Sequence, residues 1–384
     1  MHDATRLIQA GADPAERVRT INPGVVRAST VLFDSYEELA AANAGEHPGA
    51  TYGTDRLPLQ RAFEEAVREM EGGALTRAFQ SGICAIINTL LAFTRAGEHI
   101  LVCDSAYGPT THFCQEVLAR FQVETSPFPG DAGADIVRYL RPETRLILME
   151  SPGSNTFELQ DIPAITRIAR ERGVITVLDG TWATPLYLKA LQLGVDVSVQ
   201  SATKYLSGHS DVLLGTVTVT PELAGRFDAF CRVMELFAAP EDCALALRGR
   251  RTLPVRLRRH GESALEIARW LSGHALVDQV LHPALPAHPE HHLWRRDFLG
   301  ASGLFGFTFH REYPEEQLAA FINALELFGI GYSWGGYKSL VTAGRHRRAL
   351  PSRYQGRTIV RLSIGLEDPE DLMRDLAAAM ARLA

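Results

Sequence analysis

Apolar residues return every three or four positions through 58–71, at Leu59, Phe63, Val67 and Met70, the spacing of a helix with one buried face. Beyond it the pattern shifts to short apolar runs at 99–103, 146–150, 174–179, 195–199 and 213–219, which read as strands. Helices fit between them, among them 84–93 and 185–193. Strands alternating with helices predict a mainly parallel sheet covered on both faces. Near Ala238-Ala239-Pro240-Glu241-Asp242 the alternation stops, and one long helix is expected over 243–271. A smaller α/β unit follows, with strands at 303–310 and 358–364 and a helix at 314–327. Asp368-Pro369-Glu370-Asp371 opens a last helix with acids in its first turn, and Leu372, Leu376, Met380 and Leu383 form its stripe.

The first fifty residues carry one weak helical stretch and a short apolar piece, Thr30-Val31-Leu32-Phe33, too little for a core. They read as an arm that packs elsewhere. The expected division of the 384 residues is an arm at 1–57, a large domain at 58–242 and a C-terminal domain with its linking helix at 243–384.

Composition narrows the function classes. Hydrophobic content of 46% and charged content of 22% are those of a soluble globular protein. A net charge of −6 without a basic block argues against nucleic acid and anionic membrane as partners. The arginines at 248, 250, 251, 256, 258 and 259 read as a solvated helix face with salt bridges. Five cysteines, odd in number and without CxxC spacing, point to a reducing compartment and not to a disulfide framework. No apolar leader core and no membrane-length apolar run is visible, so a cytoplasmic protein is expected. The histidines at 282, 288, 291 and 292 lie in a Pro-rich stretch read as a surface loop, not as a metal site; His209 reads as a turn residue.

The candidate chemistry lies at strand ends. Lys204 follows the strand at 195–199 within Ser201-Ala202-Thr203-Lys204, where open α/β sheets place their ligands. Partly buried there, its amine loses its proton readily and attacks a carbonyl to form a Schiff base. Ser201 and Thr203 lie close enough to bond a phosphate. The preceding strand, 174–179, delivers Asp179 to the same edge, and an Asp there can pair with a protonated ring nitrogen. Lysine for an aldehyde and aspartate for a ring nitrogen are the two anchors of pyridoxal phosphate. A third anchor, for the phosphate, is the helix opening at Ser81-Gly82-Ile83, whose first N–H groups lack partners. Arg361, ending the apolar 358–360, offers two parallel hydrogen bonds to a substrate carboxylate.

The stretches SATKYLSGHSD (201–211), LDGTW (178–182), ESPGSN (150–155), FQSGICA (79–85) and RLSIGLED (361–368) resemble the pyridoxal-phosphate enzymes of cysteine and methionine metabolism. GYSWGGYKSL (331–340) resembles the cystathionine β-lyase branch, and the likeness runs in order from about Asn22 to the end. It implies a fold-type I enzyme with Lys204 bearing the cofactor and Tyr107 stacked on its ring, also as proton carrier. It implies Asn155 at the ring hydroxyl or the substrate carboxylate, and Ser333 and Trp334 on a loop that closes over substrate. Tyr52 is implied to reach a neighbour's cofactor phosphate, which makes the dimer the catalytic unit, paired into a tetramer. The family usually reads Tyr-x-Arg then Gly-Thr in that segment; here Thr54 takes the arginine's place, and the charge is lost unless Arg56 bends back. Ala244 stands where the family often has an aromatic residue, leaving room for a wider pocket. The implied reaction is α,β-elimination on L-cystathionine, giving homocysteine, pyruvate and ammonia. The alternatives are γ-elimination or replacement on a related sulfur amino acid, and a catalytically silent protein that kept the fold.

Overall fold

The computed structural model describes residues 2–9 and 21–383. Residues 10–20 of the expected arm lie outside the described residues, as do Met1 and Ala384. Seven strands build the first sheet: β1 (Leu75–Phe79), β2 (His99–Cys103), β3 (Glu124–Phe128), β4 (Thr144–Glu150), β5 (Ile175–Asp179), β6 (Val197–Gln200) and β7 (Gly215–Val219). Their order is β1-β7-β6-β5-β4-β2-β3. All neighbours are parallel except β7, which runs antiparallel to both β1 and β6. The carboxyl ends of β1, β2, β4, β5 and β6 therefore emerge along one edge. That edge carries the candidate chemistry.

Helices cover both faces of the sheet, so its central strands are buried on both sides. Every residue of β2 is buried, and so is every residue of β6 and β7. Helix Gly82–Phe93 begins directly after β1, capped by Ser81, whose Oγ accepts the Cys84 N–H at 3.1 Å. Helix Pro58–Glu71 buries Leu59, Phe63 and Val67 as its spacing predicts.

The second sheet has β8 (Val277–Leu281), β9 (Leu304–Phe309), β10 (Gly329–Ile330), β11 (Leu340–Arg345) and β12 (Thr358–Ser363), in the order β10-β11-β12-β9-β8. Alternation along β12 splits its side chains: Val360 and Leu362 enter the core of this unit, while Ile359 packs against the first sheet's core. The last helix, Pro369–Met380, buries Leu372, Leu376 and Met380 as expected.

Several sequence expectations need correction. The helix over 243–271 is two, Pro240–Arg251 and Leu253–Ser272, because Pro254 has no N–H to carry the ladder through Thr252. The helix over 185–193 is a single turn, Thr184–Tyr187, then a 3-10 turn, Ala190–Leu193, with Leu188 extended and bridged to Phe298. The helix over 314–327 contracts to Glu315–Asn323. The arginine run is only in part a solvated face: Arg248 and Arg258 are exposed, but Arg250 and Arg256 are buried, and Arg256 donates to the Tyr205 and Gly249 carbonyls. Nor is the histidine stretch a surface loop, since His282 and His288 are buried and His282 packs against Trp182 and Phe305. No cluster able to hold a metal ion occurs among the described residues. No helix there is long and apolar enough to cross a membrane.

Candidate active site

A cavity of about 220 Å³ opens at the carboxyl edge of the first sheet. Its wall gathers Ser81, Gly82 and Ile83 from the helix start, Tyr107 from the turn after β2, and Asn155 from the turn after β4. Asp179 closes β5, Ser201, Thr203 and Lys204 follow β6, and Trp334 and Arg361 come from the second unit. Two expected site residues lie elsewhere. Tyr52 sits half exposed on the arm, bridged to Thr30, and Ser333 reaches the site only through its carbonyl, which accepts from Arg361 Nη2 at 3.4 Å.

Lys204 is held by a tight turn, its N–H on the Ser201 carbonyl at 3.1 Å and its carbonyl accepting the Gly208 N–H at 2.8 Å. Burial lowers its affinity for a proton; the nearby Asp179 carboxylate opposes this and the Arg361 guanidinium adds to it. Its Nζ lies 5.4 Å from the centre of the Trp334 ring, so an aromatic face screens the amine from water. Gly335, at φ +82°, makes that approach possible: a Cβ there would lie 2.9 Å from Tyr205 N and 3.2 Å from Lys204 Cβ.

Asp179 serves no helix N-cap. Its Oδ1 accepts the Thr181 N–H at 3.0 Å and the Thr181 hydroxyl. Burial raises its pKa, against the pull of those donors and of Lys204. Thr181 Oγ1 also accepts the Ser201 N–H at 2.8 Å, tying the aspartate turn to the lysine turn. Sequence reasoning missed Thr181, and it missed Glu150. Glu150 is paired in register with Asp179 across β4 and β5, so two carboxylates share one face of the sheet. Its oxygens accept the Tyr107 N–H at 2.6 Å and the Ser154 hydroxyl at 2.5 Å. Burial, with Asp179 beside it, pushes its pKa up. The available signal was a second apolar strand ending in an acid.

The helix start that lines the cavity leaves backbone donors open to an anion. The Gly82 and Ile83 N–H groups have no acceptor within their helix. A Cβ on Gly82 would lie 2.5 Å from Ser201 Oγ, so only glycine lets this backbone close on the Lys204 turn. The Thr203 hydroxyl already serves Leu214, donating to its carbonyl at 3.1 Å and accepting its N–H at 2.9 Å. Arg56 is paired with buried Glu64 at 3.4 Å, in a left-handed conformation at φ 56°. Arg361, half-buried, also lines the cavity.

Residues 4–381 match the family model described as Cys/Met metabolism PLP-dependent enzyme. Over 98% of this chain and 95% of its own length, a "Putative cystathionine beta-lyase" of Rhizobium johnstonii is 46% identical. "Cystathionine beta-lyase MetC" of Escherichia coli is 40% identical over 99% of this chain and 98% of its own. A crystal structure of metB from Corynebacterium glutamicum matches with a TM-score of 0.92 at 28% identity, covering 100% of this chain and 99% of that one.

Proposed function

Because this chain belongs to the pyridoxal-phosphate-dependent enzymes of cysteine and methionine metabolism, we propose that it is a carbon–sulfur β-lyase that cleaves L-cystathionine to homocysteine, pyruvate and ammonia. The observation that carries the reading is the meeting of Lys204, Asp179 and Arg361 around one cavity. The residues fit the cofactor: an amine with weakened hold on its proton, a carboxylate at the strand end, and a glycine-gated helix start for the phosphate. Bound there, pyridoxal phosphate supplies an aldehyde for an amine and a ring that stores the charge left when an α-proton is removed.

The chain's own residues do the rest. Arg361 binds the α-carboxylate through its planar fork and so fixes which α-bond points at Lys204. Lys204 Nζ, at the cavity wall with a weakened hold on its proton, would take up the α-proton. Asp179 would pair with the protonated ring nitrogen, a cation that offsets the cost of burying its carboxylate. Tyr107, its backbone N–H held by Glu150, would lie against the cofactor's ring. Trp334 excludes water from the amine. The thiolate then leaves the β-carbon, and hydrolysis of the remaining fragment yields pyruvate and ammonia. Incubation with L-cystathionine tests this: pyruvate with homocysteine is expected, while 2-oxobutyrate with cysteine and no pyruvate overturns it in favour of γ-chemistry.

The working unit is a homodimer in the cytoplasm, two dimers forming a tetramer. Support comes from the arm, where Ile21 and Leu32 are 90% and 88% exposed and helix Tyr36–Asn43 has no buried residue. The five thiols are all free, and four are buried, which suits a reducing compartment.

A further inference from the structure

The segment from His346 to Arg353 crosses from the second unit onto the two turns that carry Tyr107 and Asn155. Arg348 Nη1 donates to Glu158 Oε1 at 3.0 Å and its Nη2 to Oε2 at 2.7 Å. Nη2 also reaches Thr156 Oγ1, whose own hydroxyl donates to Glu158. The two charged side chains are only 5% and 8% exposed. One residue on, the Ala349 and Leu350 N–H groups donate to the two oxygens of Asp104, each at 3.3 Å. Arg353 then pairs with Glu290 at 2.7 Å.

The turn held by Arg348 is an unfavourable one. Asn155 and Phe157, neither a glycine, both take left-handed conformations at φ 66° and 58°. Such backbone persists only where its surroundings over-determine it. The Phe157 ring, buried in the main core, fixes one side of the turn. The Glu158–Arg348 fork fixes the other, in a site dry enough that planar geometry and not mere charge decides the fit. A surface ion pair would carry no such weight.

We propose that Arg348 is a positioning residue of the active site, acting through Glu158 and Thr156 to hold Asn155 in the cavity wall. This rests on the reading of Asn155 as a site residue. Arg348→Lys keeps the charge and loses the fork, and Glu158→Gln keeps the shape and loses the charge. Each is compared with Asn155→Ala and with the corresponding double variant. Two readouts are taken: binding of pyridoxal phosphate to the apoenzyme by absorbance titration, and the division of any loss between KM and kcat. Each single variant should cost roughly tenfold in kcat/KM or in cofactor affinity, with the Asn155→Ala background abolishing the further loss. Losses that add overturn the proposal, because Arg348 then acts elsewhere. Full activity and affinity in Arg348→Lys and Glu158→Gln overturn it as well. An Asn155→Ala variant identical to wild type removes Asn155 from the site and the proposal with it. Should the lysine variant not fold, the Glu158→Gln cycle alone decides.

Discussion

Arg361 and Thr54 show how much a single side chain decides here. Arg361 faces a cavity whose only other cation at the lining, among the described residues, is Lys204. A lysine at 361 would keep the charge and forfeit the paired hydrogen bonds to a carboxylate. Arg361→Lys should raise KM roughly thirtyfold, about 2 kcal/mol, with a smaller effect on kcat. Steady-state kinetics on cystathionine decide it, and an unchanged KM removes Arg361 from substrate binding. Thr54 predicts a gain instead. With Arg56 committed to Glu64, no arginine of this segment is free to meet a phosphate dianion. Restoring one by Thr54→Arg should tighten cofactor binding to the apoenzyme by about tenfold, the scale of one charge-assisted hydrogen bond. Titration of the apoenzyme with pyridoxal phosphate would show it. Equal affinity would mean that residue 54 does not face the phosphate.

At the scale of elements, the site was legible wherever an apolar strand ended in one reactive residue. Lys204 and Asp179 stood out for that reason, and β5 and β6 place them on one edge. Glu150 ends β4 in the same way, yet its meaning depends on the register with Asp179, which no single window contains. Strand β3, Glu-Thr-Ser-Pro-Phe, escaped notice because an edge strand tolerates polar residues and proline. Strand β1 hid behind Arg77, which pattern marks as exposed; it is buried, paired with Asp228 at 2.7 Å. Proline broke the long linking helix where apolar spacing alone ran on. Another buried acid gives the helix Pro58–Glu71 a measurable pH dependence. Glu71 Oε1 accepts from Ser198 Oγ at 2.9 Å and from Gln200 Nε2 at 3.2 Å, both on β6. Burial raises its pKa from 4.5 to about 7, opposed by those donors and by Lys189. The folded state therefore binds this proton more tightly than the unfolded chain. The resulting stabilisation is complete below pH 4.5 and is lost as pH rises to about 7. Relative to Glu71→Gln, which does not titrate, the wild type should lose up to about 3 kcal/mol across that window. Urea unfolding of both proteins at several pH values tests this; parallel curves would show that Glu71 stays charged.

At the scale of the whole molecule, we propose that one chain leaves its own site incomplete. Tyr52 does not line the cavity of its own chain, and the arm that carries it exposes Leu32 and Tyr36 to 88% and 78%. Apolar surface so exposed on the described part of the arm supports a partner that covers it. A two-fold axis is the simplest arrangement, because each chain then gives its arm and receives the other. Two such dimers pairing through a second axis would make the tetramer. On this reading the cofactor's phosphate is met by the helix start at Gly82 from one chain and by Tyr52 from the other. Lys204→Ala and Tyr52→Ala enzymes should then each be inactive, the first lacking the amine, the second the cross-chain contact. Dissociating the two, mixing them and reassembling should restore activity, because every hybrid dimer holds one site with both defects and one with neither. Hybrid formation is followed by native mass spectrometry with one chain tagged, and turnover by pyruvate release. If hybrids form and stay inactive, Tyr52 serves the chain it belongs to and the site is not shared.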